Sequence, residues 1–102
     1  VGADALGDTA RRYADEVGLD ARFEVRPEIA TAASSILVDA RGDNRIVVAL
    51  GANDALSPEF VDSEAATIAA AEVVVLQLEN ALAATRRAIG IARAAARTIV
   101  LN

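Results

Sequence analysis

The residues Val73-Val74-Val75-Leu76-Gln77-Leu78 form a nearly continuous apolar run. A strand with apolar residues on both faces belongs inside a parallel sheet covered by helices. A helical stretch follows at about 81–96, with Asn80 as its expected cap and Leu82, Ile89, Ala92 and Ala96 turned inward. Thr98–Leu101 is then a second apolar strand. Strand, helix and strand over about 73–101 make a βαβ unit, whose crossover is expected to be right-handed. This pattern commits the chain to an α/β class of fold.

The earlier residues add three elements. Asp4 is a plausible helix cap, and Leu6, Ala10, Tyr13, Ala14 and Val17 recur at helical spacing before Gly18, which predicts a helix at about 5–17. Ala21 to Val25 alternates in period two and reads as a short strand ahead of Pro27. Residues 31–39 and 45–50 alternate as well, and the turn-forming run Ala40-Arg41-Gly42-Asp43-Asn44 lies between them. This predicts a β-hairpin over about 30–51. Ile36 and Val38 lie on one face of its first strand, with Ser35 and Leu37 on the other. Both faces therefore need cover from core, ligand or another chain. Ser57-Pro58 then starts a helix expected to run to about Ala70, burying Phe60, Val61, Ala65 and Ile68.

Composition narrows the chemistry. The 102 residues allow one small domain at most. The apolar fraction is 54%, but much of it is alanine and only Tyr13, Phe23 and Phe60 are aromatic, so the core is expected to be thin. The first residue is Val1 and there is no Met, while the other end follows an apolar run directly. The chain is therefore expected to be an internal fragment of a larger protein, completed by neighbouring segments. A net charge of −5, with no basic run, argues against nucleic acid as a partner. Glu72, Glu79 and Arg86 interrupt the best candidate for a membrane span, so no membrane partner is expected. The absence of Cys fits a cytoplasmic origin. With no His, Cys or Lys, the chain lacks serine–histidine triads, thiol nucleophiles, His/Cys zinc sites and phosphate-binding lysines. What remains is binding or carboxylate chemistry.

In open parallel sheets, ligands bind at the carboxyl ends of strands. Glu79 stands there, and by position alone it is most simply a charge at the entrance of the next helix. Arg86, Arg87, Arg93 and Arg97 line one helix and read as a solvated face in preference to a phosphate site. Asp4, Asp8, Asp15 and Glu16 are most simply solvated, with Asp4 also capping.

The ordered landmarks "VGADALGD", "TAASSILVDARGDNRIVV", "GAN", "LSPE", "VVVLQLEN" and "TIVLN" resemble the ribokinase-like sugar kinases, the PfkB family, across the whole chain. The resemblance implies a three-layer sheet-and-helix fold with a β-hairpin lid, of which these residues are one part. It also implies a parent enzyme that transfers the γ-phosphate of ATP, with Mg2+, to a primary hydroxyl of ribose or a related sugar. The family's lid covers the sugar and often makes a dimer contact. Its sugar-contacting positions correspond here to Glu79, Ser34, Ile36 and Val48, although Ile36 and Val48 also read as ordinary packing residues. Thr31-Ala32 stands where Thr-Gly is common, and Ser34 stands where a small apolar residue is usual. The family's upstream Gly-Gly segment and its downstream Asn-x-x-Glu and Gly-Ala-Gly-Asp segments are not in this chain. Most ATP- and Mg2+-binding residues are thus expected elsewhere in the parent, no catalytic residue is expected here, and the chain alone is expected to be inactive. The alternative is a non-catalytic α/β module whose hairpin binds a partner or dimerises.

Overall fold

Helix α1 (Ala5–Glu16) starts at Asp4, whose extended backbone and side-chain acceptor for the Gly7 N–H make it the N-cap. It ends at Gly18, whose φ of +69° is the left-handed conformation. The Gly18 N–H donates to Asp15 O at 3.1 Å and the Leu19 N–H to Ala14 O at 2.9 Å, the paired bonds of a Schellman motif. The face turned inward differs from the expected stripe. Gly7 and Ala14 are buried, while Leu6, Tyr13 and Val17 are exposed. The closest packing of α1 thus uses its smallest residues.

In the computed structural model, which describes residues 1–102, the chain divides into two units, Val1–Asn53 and Asp54–Asn102. In the first unit, the strand expected at 21–25 does not form. A single parallel bridge joins Gly2 to Arg26, with the Arg26 N–H donating to Val1 O at 2.9 Å. The ladder cannot grow along its partner, because the helix cap at Asp4 begins two residues later.

The hairpin is formed by β1 (Ala33–Val38) and β2 (Asn44–Ala49), antiparallel, with Ser34 opposite Val48 and Ile36 opposite Ile46. Its turn is closed by the Asp39 N–H donating to Asp43 O and the Gly42 N–H donating to Asp39 O, each at 3.0 Å. Gly42 takes a φ of +87°, which few other residues tolerate. The Asp39 carboxylate accepts from the Arg41 N–H at 2.8 Å and the Asp43 N–H at 3.1 Å. These backbone donors, Arg41's first, hold its pKa below the ordinary carboxylate value. Every residue of both strands is exposed. A short 3-10 turn, Gly51–Ala55, leads out of the hairpin.

In the second unit, Ser57 caps α2 (Pro58–Ser63), its hydroxyl accepting from the Phe60 N–H at 3.1 Å. The single helix expected to reach Ala70 is broken at Glu64 into α2 and α3 (Ala65–Ala70). The Ser63 hydroxyl donates to Phe60 O at 2.7 Å, and the Glu64 N–H goes to Val61 O instead. A side-chain hydroxyl has displaced the regular helical bond, a competition to which Ser is prone.

Strand β3 (Val73–Leu76) and β4 (Thr98–Leu101) pair in parallel, from Val73 with Thr98 to Leu76 with Leu101. Helix α4 (Leu82–Ala94) connects them. Its cap is Ala81, with no side-chain cap bond, in place of the expected Asn80. Ala84, Thr85, Ala88, Ile91 and Ala92 are buried on α4, while Leu82 and Ala96 are exposed and Ile89 is half-buried. Val61, Ala84, Ala88 and Ile91 form the core cluster, and Leu56, Ala65, Ile68, Leu76 and Ala81 pack around it. No helix is long and apolar enough to cross a membrane.

Candidate functional site

Cross-strand partners share a face of an antiparallel ribbon, as do residues two apart on one strand. Ser34 and Val48 are direct partners and Ile36 is two residues beyond Ser34, so the hairpin brings these three onto one face together with Ile46. Ile36 is 60% exposed and Val48 52%. This face offers one hydroxyl among branched apolar side chains. The opposite face carries Leu37 and Val47, also exposed.

Glu79 lies in the other unit, beyond β3. The strand stops at Leu76, short of the expected Leu78, and the Asn102 N–H closes the ladder on Leu76 O at 2.9 Å. Gln77 then bends the chain, its side-chain oxygen accepting from the Glu79 N–H at 2.8 Å. The Glu79 side chain is consequently exposed in the β3–α4 connection, ahead of the α4 N-terminus. A carboxylate in this setting can accept hydrogen bonds from ligand hydroxyls.

The arginines of α4 and Arg97 just beyond it do not act as a set. Arg87 pairs with Asp62 and so ties α4 to α2, while Arg86, Arg93 and Arg97 are exposed. No group of three or more acidic side chains gathers in a way that could hold a metal ion.

One polar arrangement goes beyond the sequence reading. Asp4 does more than cap α1, because it also binds Thr31 at the root of the hairpin. A clue lies in Gly2 and Gly7, which flank Asp4 and let backbones approach closely. A Cβ on Gly7 would lie 2.3 Å from Gly2 O.

The fold has counterparts among known proteins. Over its whole length the chain is 31% identical to the deoxyribokinase of Salmonella typhi and 31% identical to the ribokinase of Haemophilus influenzae. A 94-residue stretch is 33% identical to mouse ribokinase. The solved structure of Sa239 superposes on all of it with a TM-score of 0.92 at 34% identity, and Giardia lamblia ribokinase with 0.89 at 29%. The chain is ribokinase-like.

The ribokinase of Thermotoga maritima, at 24% identity and a TM-score of 0.81, shares the fold. No protein-family model matches the chain. The ribokinase-like chain spans about a third of the length of the curated relatives it matches, 34% for the deoxyribokinase and for the bacterial ribokinase. In the Sa239 and Giardia lamblia structures the matched elements occur within a longer chain, of which they make up 34%.

Proposed function

We propose that this chain is the lid and sugar-contacting part of a cytoplasmic, ATP-dependent sugar kinase that phosphorylates a primary hydroxyl of ribose or a related sugar. Similarity to ribokinases and a deoxyribokinase along the whole chain is the observation that carries this reading. Ser34, Ile36 and Val48 form the sugar-facing side of the lid, and Glu79 accepts hydrogen bonds from the sugar. ATP and Mg2+ are held mostly by residues outside these 102, so the chain alone has no turnover. Phosphoryl transfer depends on positioning and charge neutralisation, and the present residues contribute to positioning only.

Glu79 supplies the test. A charge-assisted hydrogen bond to a sugar hydroxyl contributes roughly 1.5–3 kcal/mol. In the complete kinase, Glu79→Gln is therefore expected to raise the dissociation constant for ribose by about tenfold or more, read by titration calorimetry. Unchanged affinity would return Glu79 to the role of a charge at a helix entrance. A second reading draws on the exposed Leu37 and Val47 opposite the sugar-facing side. In it the hairpin also joins two copies of the protein, or acts as a non-catalytic binding element.

A further inference from the structure

Thr31 is two residues ahead of β1, at the root of the hairpin. Its N–H donates to Asp4 Oδ2 at 2.8 Å and its hydroxyl donates to Asp4 Oδ1 at 2.7 Å. The same hydroxyl accepts from the Gly2 N–H at 2.8 Å. Asp4 Oδ1 also accepts from the Gly7 N–H at 2.8 Å, in the first turn of α1. Only a hydroxyl can donate to a carboxylate and accept from an amide at one atom, so a hydroxyl side chain is chemically specified at position 31.

The second arm of the hairpin is secured at the same level. The Ala52 N–H donates to Ala30 O at 2.8 Å. Gly51, at a φ of +47°, approaches so closely that a Cβ would lie 2.3 Å from Ala30 O. A Cβ on Gly2 would likewise lie 2.4 Å from Ile29 O. Residues 29–31 are thus gripped from two sides by backbone contacts that leave no room for a side chain. Beyond this collar every residue of β1 and β2 is exposed, so no apolar packing within the unit steadies them.

We propose that Asp4 and Thr31 form a latch that fastens the hairpin root to the N-terminus of α1, so that hairpin motion pivots above Thr31 and does not reach the helix. The pivots are Ala32–Ala33 on one arm and Ala49–Leu50 on the other. Ionised Asp4 suits this role, because the Thr31 N–H, then the Gly7 N–H and the Thr31 hydroxyl, lower its pKa to about 2. The latch stands whether the hairpin covers a sugar, meets a second copy or binds another partner.

Amide hydrogen exchange on the full chain tests it. Thr31→Val removes the hydroxyl and strands the Gly2 N–H. Exchange at Gly2, Gly7 and Ala52 is expected to rise about tenfold or more, while protected amides of the β1–β2 ladder change less than about twofold. Thr31→Ser keeps the hydroxyl and is expected to match the parent at all of these amides. Asp4→Asn turns one acceptor into a donor that must face either the Thr31 N–H or the Gly7 N–H, and it covers the case in which Thr31→Val fails to fold. It is expected to raise exchange at the same root amides. Root exchange unchanged in the folded variants, or ladder and root amides rising together, would overturn the latch.

Discussion

The buried residues of Val1–Asn53 are Gly2, Gly7, Ala14 and Ala52, none with a side chain larger than a methyl group. Asp54–Asn102 instead buries Val61, Thr85 and Ile91 among alanines of α4. The first unit is organised by a carboxylate, a threonine and close backbone approach, and the second by branched apolar side chains packed on one helix. The cap motifs differ in the same direction. Both α1 and α4 end in a left-handed residue with paired backbone bonds, but that residue is Gly18 in one unit and Ala96, at a φ of 55°, in the other. The hairpin unit uses glycine where geometry demands it, and the second unit tolerates strain that its packing offsets. Hydrogen bonds are directional and fix one geometry, whereas apolar burial is not directional and supplies net stability.

Truncating the packed cluster gives the largest expected effect. Ile91→Ala should cost about 2 kcal/mol, at the low end for a core isoleucine because several of its neighbours are only half-buried. Urea unfolding followed through the α4 amides checks this, and a cost well below that would show that the apolar cluster does not hold the unit. Next, Ala96→Gly should stabilise the chain by about 1 kcal/mol by relieving the left-handed alanine. Gly18→Ala should lose a similar amount. Equal melting temperatures for Ala96→Gly and the parent would mean that the two caps are equivalent after all.

The smallest effect concerns acid. The folded pKa of Asp4 is lowered to about 2 from 3.8, so its ionised form favours the folded state. That contribution is complete above the unfolded value and disappears as the pH falls through the folded one. Acid titration of the parent and Asp4→Asn should therefore show a stability difference that narrows between about pH 4 and pH 2. A difference that stayed constant across this window would separate Asp4's charge from the stability of the hairpin root.

Much of the architecture was legible in local patterns. Ser57-Pro58 starts a helix, Gly18 ends one, and the alternation through Ile36 and Ile46 makes a hairpin with Ser34, Ile36 and Val48 on one face. These features depend on neighbouring residues and on a period of two or 3.6. The misreadings share a different cause. Ala21–Val25 alternates as a strand should, yet the one bridge formed there joins Gly2 to Arg26, just beyond it. Leu82 and Tyr13 are large and apolar, yet they are exposed while alanines two or three positions away or nearer lie buried. Asn80 is a good capping residue, but the Gln77 side chain bends the backbone first and helix α4 begins after Ala81.

By itself, the sequence determined most of the elements and their order, the two-sided apolar character of the hairpin and the chemistry excluded by the lack of His, Cys and Lys. Periodicity and side-chain chemistry are local properties, so they can be read along the chain. Only the tertiary structure decided that Asp4 reaches Thr31 across 27 positions, that Gly51 presses on Ala30 and that Ile91 rather than Leu82 enters the core. Each of these depends on which backbones approach one another, and that distance is set by the whole packed arrangement.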